Sequence, residues 1–179
     1  MNILDVVMNS GNGAAVRQLG TQFGLSEAQV ASALSALVPA LAGGVQRNVQ
    51  SPDGLAGLTS ALASGKHKRY VEEPDAMAEL STVDDGNKIL GHIFGSKEVS
   101  REVASRASAQ TGIGADVLKR MLPLAAALLM GAFSQRTAQG NAPGAGGLAG
   151  MLGGLLDQNG DGSVLDDIGG MMGRTFGRS

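Results

Sequence analysis

A chain of 179 residues has room for one domain of ordinary size with appendages, or for two very small ones. Apolar residues supply 43% of it, yet aromatics are only 3% and Trp is absent, so Ala, Leu and Gly must build any core, which favours close-packed helices over strands. The net charge of −2 excludes a global positive field for nucleic acid or anionic lipid, and the lack of cysteine excludes disulfides, Cys-based metal sites and thiol chemistry.

The opening MNILDVVMNSGNG has an early Asp5 and no basic start, so it does not read as a secretory signal. Ala15, Val16, Leu19 and Phe23 then mark a short amphipathic helix. Gly24 suits its left-handed end, and Ser26 with Gln29 forms a capping box for the next helix. Leu25 and Val30 are spaced as the matching hydrophobic staple. Val30, Leu34, Leu37, Val38, Leu41 and Val45 continue one helix face. Pro39 cannot donate to the Ser35 carbonyl, so a kink or break is expected there, and Gly43 and Gly44 weaken the helix further.

Residues 51–84 are less periodic. They contain the basic run Lys66-His67-Lys68-Arg69-Tyr70, followed by Glu72, Glu73 and Asp75, which sit close enough to neutralise it. An exposed connector with short helical pieces is expected here. Asp85-Gly86-Asn87 precedes a helix face of Ile89, Leu90, Ile93 and Phe94, stopped by Gly95. Ser96 caps a helix through Val99, Val103 and Ala107 toward Gly112. A last strong helix holds Leu118, Met121, Leu122, Ala125, Leu128, Leu129 and Phe133. Its unbroken apolar run, Met121 to Phe133, is too short to span a bilayer and fits a buried helix; no transmembrane segment is expected, and a cytoplasmic location is.

Composition changes at 137. Residues 137–154 are mostly Gly and Ala and read as a linker, and 155–179 as an acidic loop with a short helix. The helical domain is thus placed at 1–136. Inside it, Leu34 to Pro39 aligns with Leu118 to Pro123 at an offset of 84, which suggests an internal repeat over about 14–50 and 97–136. Both copies fit a helix-turn-helix. Gly20 lies four residues before Gly24 and Val30 six after it; Ser108 and Leu118 hold those places around Gly112. The expected fold class is all-α, a small helical domain with two related helix-turn-helix units, a Gly-rich linker and a calcium-loop-like tail.

MNILDVVMNSGNG, FGLSEAQVASALSALVPAL, DGNKILGHIFGSKEVSREVA, LKRMLPLAAALLMGAF and LLDQNGDGSVLDDIGGMMG together resemble a bacterial family of unknown function related to the YidB-like proteins. The resemblance covers nearly the whole chain. It implies a helical, homeodomain-like fold and carries no assigned activity.

The tail holds the clearest chemical pattern. Asp157, Asn159 and Asp161 occupy positions one, three and five of a calcium loop, Gly162 position six, and Ser163 offers a backbone carbonyl. Position twelve is Ile168 instead of a bidentate Glu, so Asp166 or Asp167 would have to close a shortened loop. The alternative is a solvated turn whose acids sit near the start of the last helix. Calcium is the one cofactor suggested.

DNA binding is the weakest reading. The helix opening Ser26-Glu27-Ala28-Gln29-Val30-Ala31-Ser32 has no Lys or Arg, and Lys119 and Arg120 fall late in the second copy. Catalysis has little support. His67 and His92 lack metal-spaced partners, His92 fits the edge of the core, and no nucleophile elbow or Walker A loop occurs. Gly144 to Ala149 matches a dinucleotide fingerprint by letter only, since no strand precedes it. Leu165, Ile168, Met171, Met172 and Phe176 give the tail an apolar stripe able to dock on the body or on another chain. The leading expectation is therefore a non-enzymatic module that binds protein partners or self-associates, with a calcium-binding tail as the alternative and nucleic acid disfavoured.

Overall fold

The structure, a computed structural model, describes residues 3–9, 13–63 and 66–139. The expected calcium ligands Asp157, Asn159, Asp161, Ser163, Asp166 and Asp167 lie outside the described residues, as does the linker from 140 onward.

The described residues are helical, with no strand among them. Eight α-helices follow one another: α1 Ile3–Asn9, α2 Ala14–Phe23, α3 Glu27–Val49, α4 Pro52–Ala63, α5 Arg69–Glu72, α6 Leu80–Phe94, α7 Lys97–Thr111 and α8 Ala115–Gln139. Two short 3-10 turns, Lys66–Lys68 and Pro74–Ala78, flank α5. The all-α expectation stands.

α8 organises the fold. Every residue from Met121 to Ser134 is buried, and α8 packs against all seven other helices. A helix apolar on all sides must be surrounded. The small side chains of Ala125, Ala126, Ala127 and Ala132 let neighbours approach closely, while Leu124, Leu128, Leu129 and Phe133 fill the space between them. α3 and the 115–135 part of α8 are long and apolar enough to cross a membrane by length and composition; in α8 most of that stretch is enclosed by protein. α8 also continues to Gln139, past the composition change at 137.

The local start and stop signals operate as the sequence predicts. Gly24 and Gly112 take left-handed conformations, φ 66° and 73°, and end α2 and α7. The Gln29 amide donates to Ser26 Oγ at 3.2 Å, and the Ser26 amide donates to Gln29 Oε1 at 2.9 Å. Val30 is fully buried and Leu25 packs against the core. At the α2–α3 turn the Leu25 amide bonds to the Gly20 carbonyl, and a Cβ on Gly20 would lie 2.7 Å from the Leu25 oxygen. Only glycine fits there.

Four expectations need correction. The break allowed at Pro39 does not occur: α3 runs on through it, as α8 does through Pro123. Ser35 and Lys119, whose carbonyls lose their usual donors, are both exposed, where water can serve instead. Gly44 does not merely weaken α3: a Cβ there would meet Ile93 Cγ2 at 2.1 Å, so the glycine marks where α6 crosses.

Asp85-Gly86-Asn87 lies inside α6 and not before it. A Cβ on Gly86 would stand 2.0 Å from the Pro123 carbonyl oxygen, so this glycine serves the α6–α8 crossing.

The 51–84 segment is more helical than a connector. Within it Tyr70 and Val71 are buried and the His67 backbone lies against Gly131 of α8, while Lys66 is exposed. Arg69 pairs with Glu79 instead of Glu72, Glu73 or Asp75.

Candidate functional site

Four helices border a half-open groove of about 960 Å³. The end of α2 contributes Phe23, α6 contributes Val83, Asn87 and Leu90, α7 contributes Lys97, Ser100 and Arg101, and α8 contributes Lys119, Arg120 and Leu122. The floor is apolar because Leu90 and Leu122 turn inward to the core, with Phe23 and Val83 half-buried beside them.

The rim is cationic. Lys97, Arg101, Lys119 and Arg120 are all exposed, and no Asp or Glu lines this groove among the described residues.

Helix geometry brings these cations together. Lys97 and Arg101 are one turn apart on α7 and share a face. Ser96, at the N-cap of α7, accepts from the Val99 amide and sets where that face begins. Gly112 then reverses the chain so that α8 returns along α7 with Lys119 and Arg120 facing the same opening. Arg120 Nε donates to the Asp116 carbonyl at 3.3 Å, which steadies its stem. None of the four cations forms an ion pair among the described residues, whereas Arg69, Lys88 and Arg106 do.

In the sequence, Lys119 and Arg120 stand out only as late residues of their helix, and nothing there joins them to Lys97 and Arg101. The i, i+4 spacing of Lys97 and Arg101 was the available signal.

A second cavity of about 450 Å³ lies between the end of α3, α4 and α6. Val45, Val49, Leu58 and Ile93 make it largely apolar, and Asn48 Nδ2 donates to the His92 carbonyl at its edge. His92 is exposed at this rim, and does not occupy the core edge expected of it.

A polar cluster sits where α5 meets α6 and α8. The Tyr70 hydroxyl donates to Asp85 Oδ2 at 2.5 Å. Burial, and then this bond to a carboxylate, push the Tyr70 phenol above its ordinary value, the reverse of what a tyrosine nucleophile needs at neutral pH. His67 stacks obliquely on Tyr70, and burial lowers its pKa against the opposing pull of Asp85. His67 Nδ1, Arg69 Nε and Ser134 Oγ are buried without a hydrogen-bond partner among the described residues. Among those residues, no three His, Asp or Glu side chains gather as a metal site would require.

No curated protein and no solved structure matches the chain. Residues 5–136, which include both cavities and all eight helix cores, match one family, described as bacterial protein of unknown function (DUF937), and the chain belongs to it.

Proposed function

We propose that this protein is a non-enzymatic helical interaction module whose groove between α2, α6, α7 and α8 receives an acidic, partly apolar polypeptide segment. The observation that carries the reading is the pairing of four exposed, ion-pair-free cations with an apolar floor. Apolar burial would supply affinity, and the cations orientation and specificity. The helix pairs around Gly24 and Gly112 are taken as related helix-turn-helix units of a homeodomain-like, YidB-like fold in which the turn serves packing. A cytoplasmic setting fits this role.

The test is amide-resolved NMR on the full chain, titrated with a synthetic peptide of Asp interspersed with Leu and Val. Amides of residues 96–101 and 119–122 should shift, and the Lys119→Glu/Arg120→Glu variant should lose the effect. Random duplex DNA is the comparator. If DNA perturbs these amides with steep salt dependence and the peptide does not, the groove belongs to phosphate recognition and the peptide reading fails.

A second reading concerns the tail. The Asp157, Asn159, Asp161, Gly162 spacing supports a calcium loop closed by Asp166 or Asp167, with Ser163 contributing its carbonyl. Calorimetry should register heat at millimolar calcium in the parent and none in Asp157→Ala/Asp161→Ala. A silent parent removes the site.

A further inference from the structure

The cationic groove has a counterpart within the same chain. The sequence through Gln139 contains twelve basic and twelve acidic residues, so it is neutral as a whole, while residues 155–168 carry Asp157, Asp161, Asp166 and Asp167 with no basic residue. Residues 140–154 between them are uncharged. The chain's net charge of −2 is therefore the sum of four acids in one short stretch and the two arginines beyond it, Arg174 and Arg178, while four ion-pair-free cations are concentrated in one groove.

We infer that residues 155–168 of this chain are the groove's occupant. The inference rests on the groove being a peptide-binding surface, as proposed above, and adds the identity of the peptide.

Three features support this occupant. The first is charge: four carboxylates match the four cations of Lys97, Arg101, Lys119 and Arg120. The second is apolar content: Leu155, Leu156, Val164, Leu165 and Ile168 alternate with those acids and suit a floor containing Val83, Leu90 and Leu122.

The third is reach. Travelling back along α8 from Gln139 to Arg120 covers about 28 Å at the helical rise. The chain from Gln139 to Leu155 can extend to about 55 Å, roughly twice that distance. Tethering places the segment near the groove at an effective concentration on the order of millimolar, so modest contacts suffice to hold it. The docked segment would compete with any acidic partner offered in trans, which makes the groove self-blocking.

The absence of native cysteine allows a direct test. A nitroxide on Gln158→Cys in the full chain, in chelator-treated buffer at low ionic strength, should broaden the amides of residues 96–101 and 119–122 relative to a diamagnetic label. Lys119→Glu/Arg120→Glu should abolish the broadening, and adding Asp166→Lys/Asp167→Lys to that variant should restore it. Both sets of positions are checked for unchanged far-ultraviolet circular dichroism. No broadening in the parent, or broadening that ignores the charge reversals, overturns the inference. So does broadening that occurs only when spin-labelled and isotope-labelled chains are mixed, because the occupant is then a second copy's segment. If the synthetic peptide binds but the tethered segment does not, only the inference falls; if neither binds, the groove reading falls with it.

Discussion

At the scale of single residues, His67 couples the fold to pH. Its half-buried imidazole is harder to protonate in the folded protein than in the unfolded chain, chiefly through lost solvation, with Lys66 adding to the effect and Asp85 opposing it. The unfolded state therefore binds more protons once pH falls below the ordinary imidazole value of 6.5. Stability contributed by a neutral His67 is complete above that value and declines as pH drops toward the lower folded value. Urea unfolding at pH 7.5 and 5.5 should show the parent losing more stability on acidification than His67→Leu does. Identical losses would mean that His67 is not the coupled group. The sequence presented His67 as part of a solvated basic run. Its burial depends on the 66–72 segment folding against Gly131 of α8, a contact that neighbouring residues cannot encode.

At the scale of elements, the crossing of α6 and α8 leaves no room for a side chain at Gly86. Gly86 touches the Pro123 backbone, whereas Gly91 on the same helix faces open space. These two glycines should respond oppositely to alanine. Gly86→Ala forces the helices apart and should destabilise by about 1–3 kcal/mol or more. Gly91→Ala removes a helix-weakening residue without a clash and should stabilise by up to about 1 kcal/mol. Denaturant midpoints of the two variants and the parent decide the matter; equal effects would show that the crossing yields freely. Read alone, Asp85-Gly86-Asn87 is a turn signal, because local propensity disfavours it within a helix. Packing reverses that preference: a helix without a side chain at one point lets its neighbour come closer. The capping box at Ser26 and Gln29 was legible for the opposite reason, since both partners lie within one turn.

At the scale of the whole molecule, one core joins all eight helices through α8. Such a body should unfold as a unit. Tyr70 is the only tyrosine and there is no Trp, so its fluorescence reports one buried position while far-ultraviolet circular dichroism reports every helix. The two signals should follow a single urea transition. Leu128→Ala, which empties a fully buried site, should move both together by about 2–5 kcal/mol. Separate transitions would divide α8 from the segment around Tyr70. The groove belongs to this scale as well. Lys97 and Arg101 stand far along the chain from Lys119 and Arg120, and only the return of α8 beside α7 makes them one rim.

The sequence by itself determined the helical class, the glycine stops at Gly24, Gly95 and Gly112, the caps at Ser26 and Ser96, and the apolar character of α8. Each follows from contacts within a turn or from the periodicity of one helix. The tertiary structure decided that Gly86 sits inside a helix, that Tyr70 and His67 belong to the folded body, and that four scattered cations share one groove. Those outcomes depend on which helices cross and how closely, and burial and backbone approach between distant segments can override local preference.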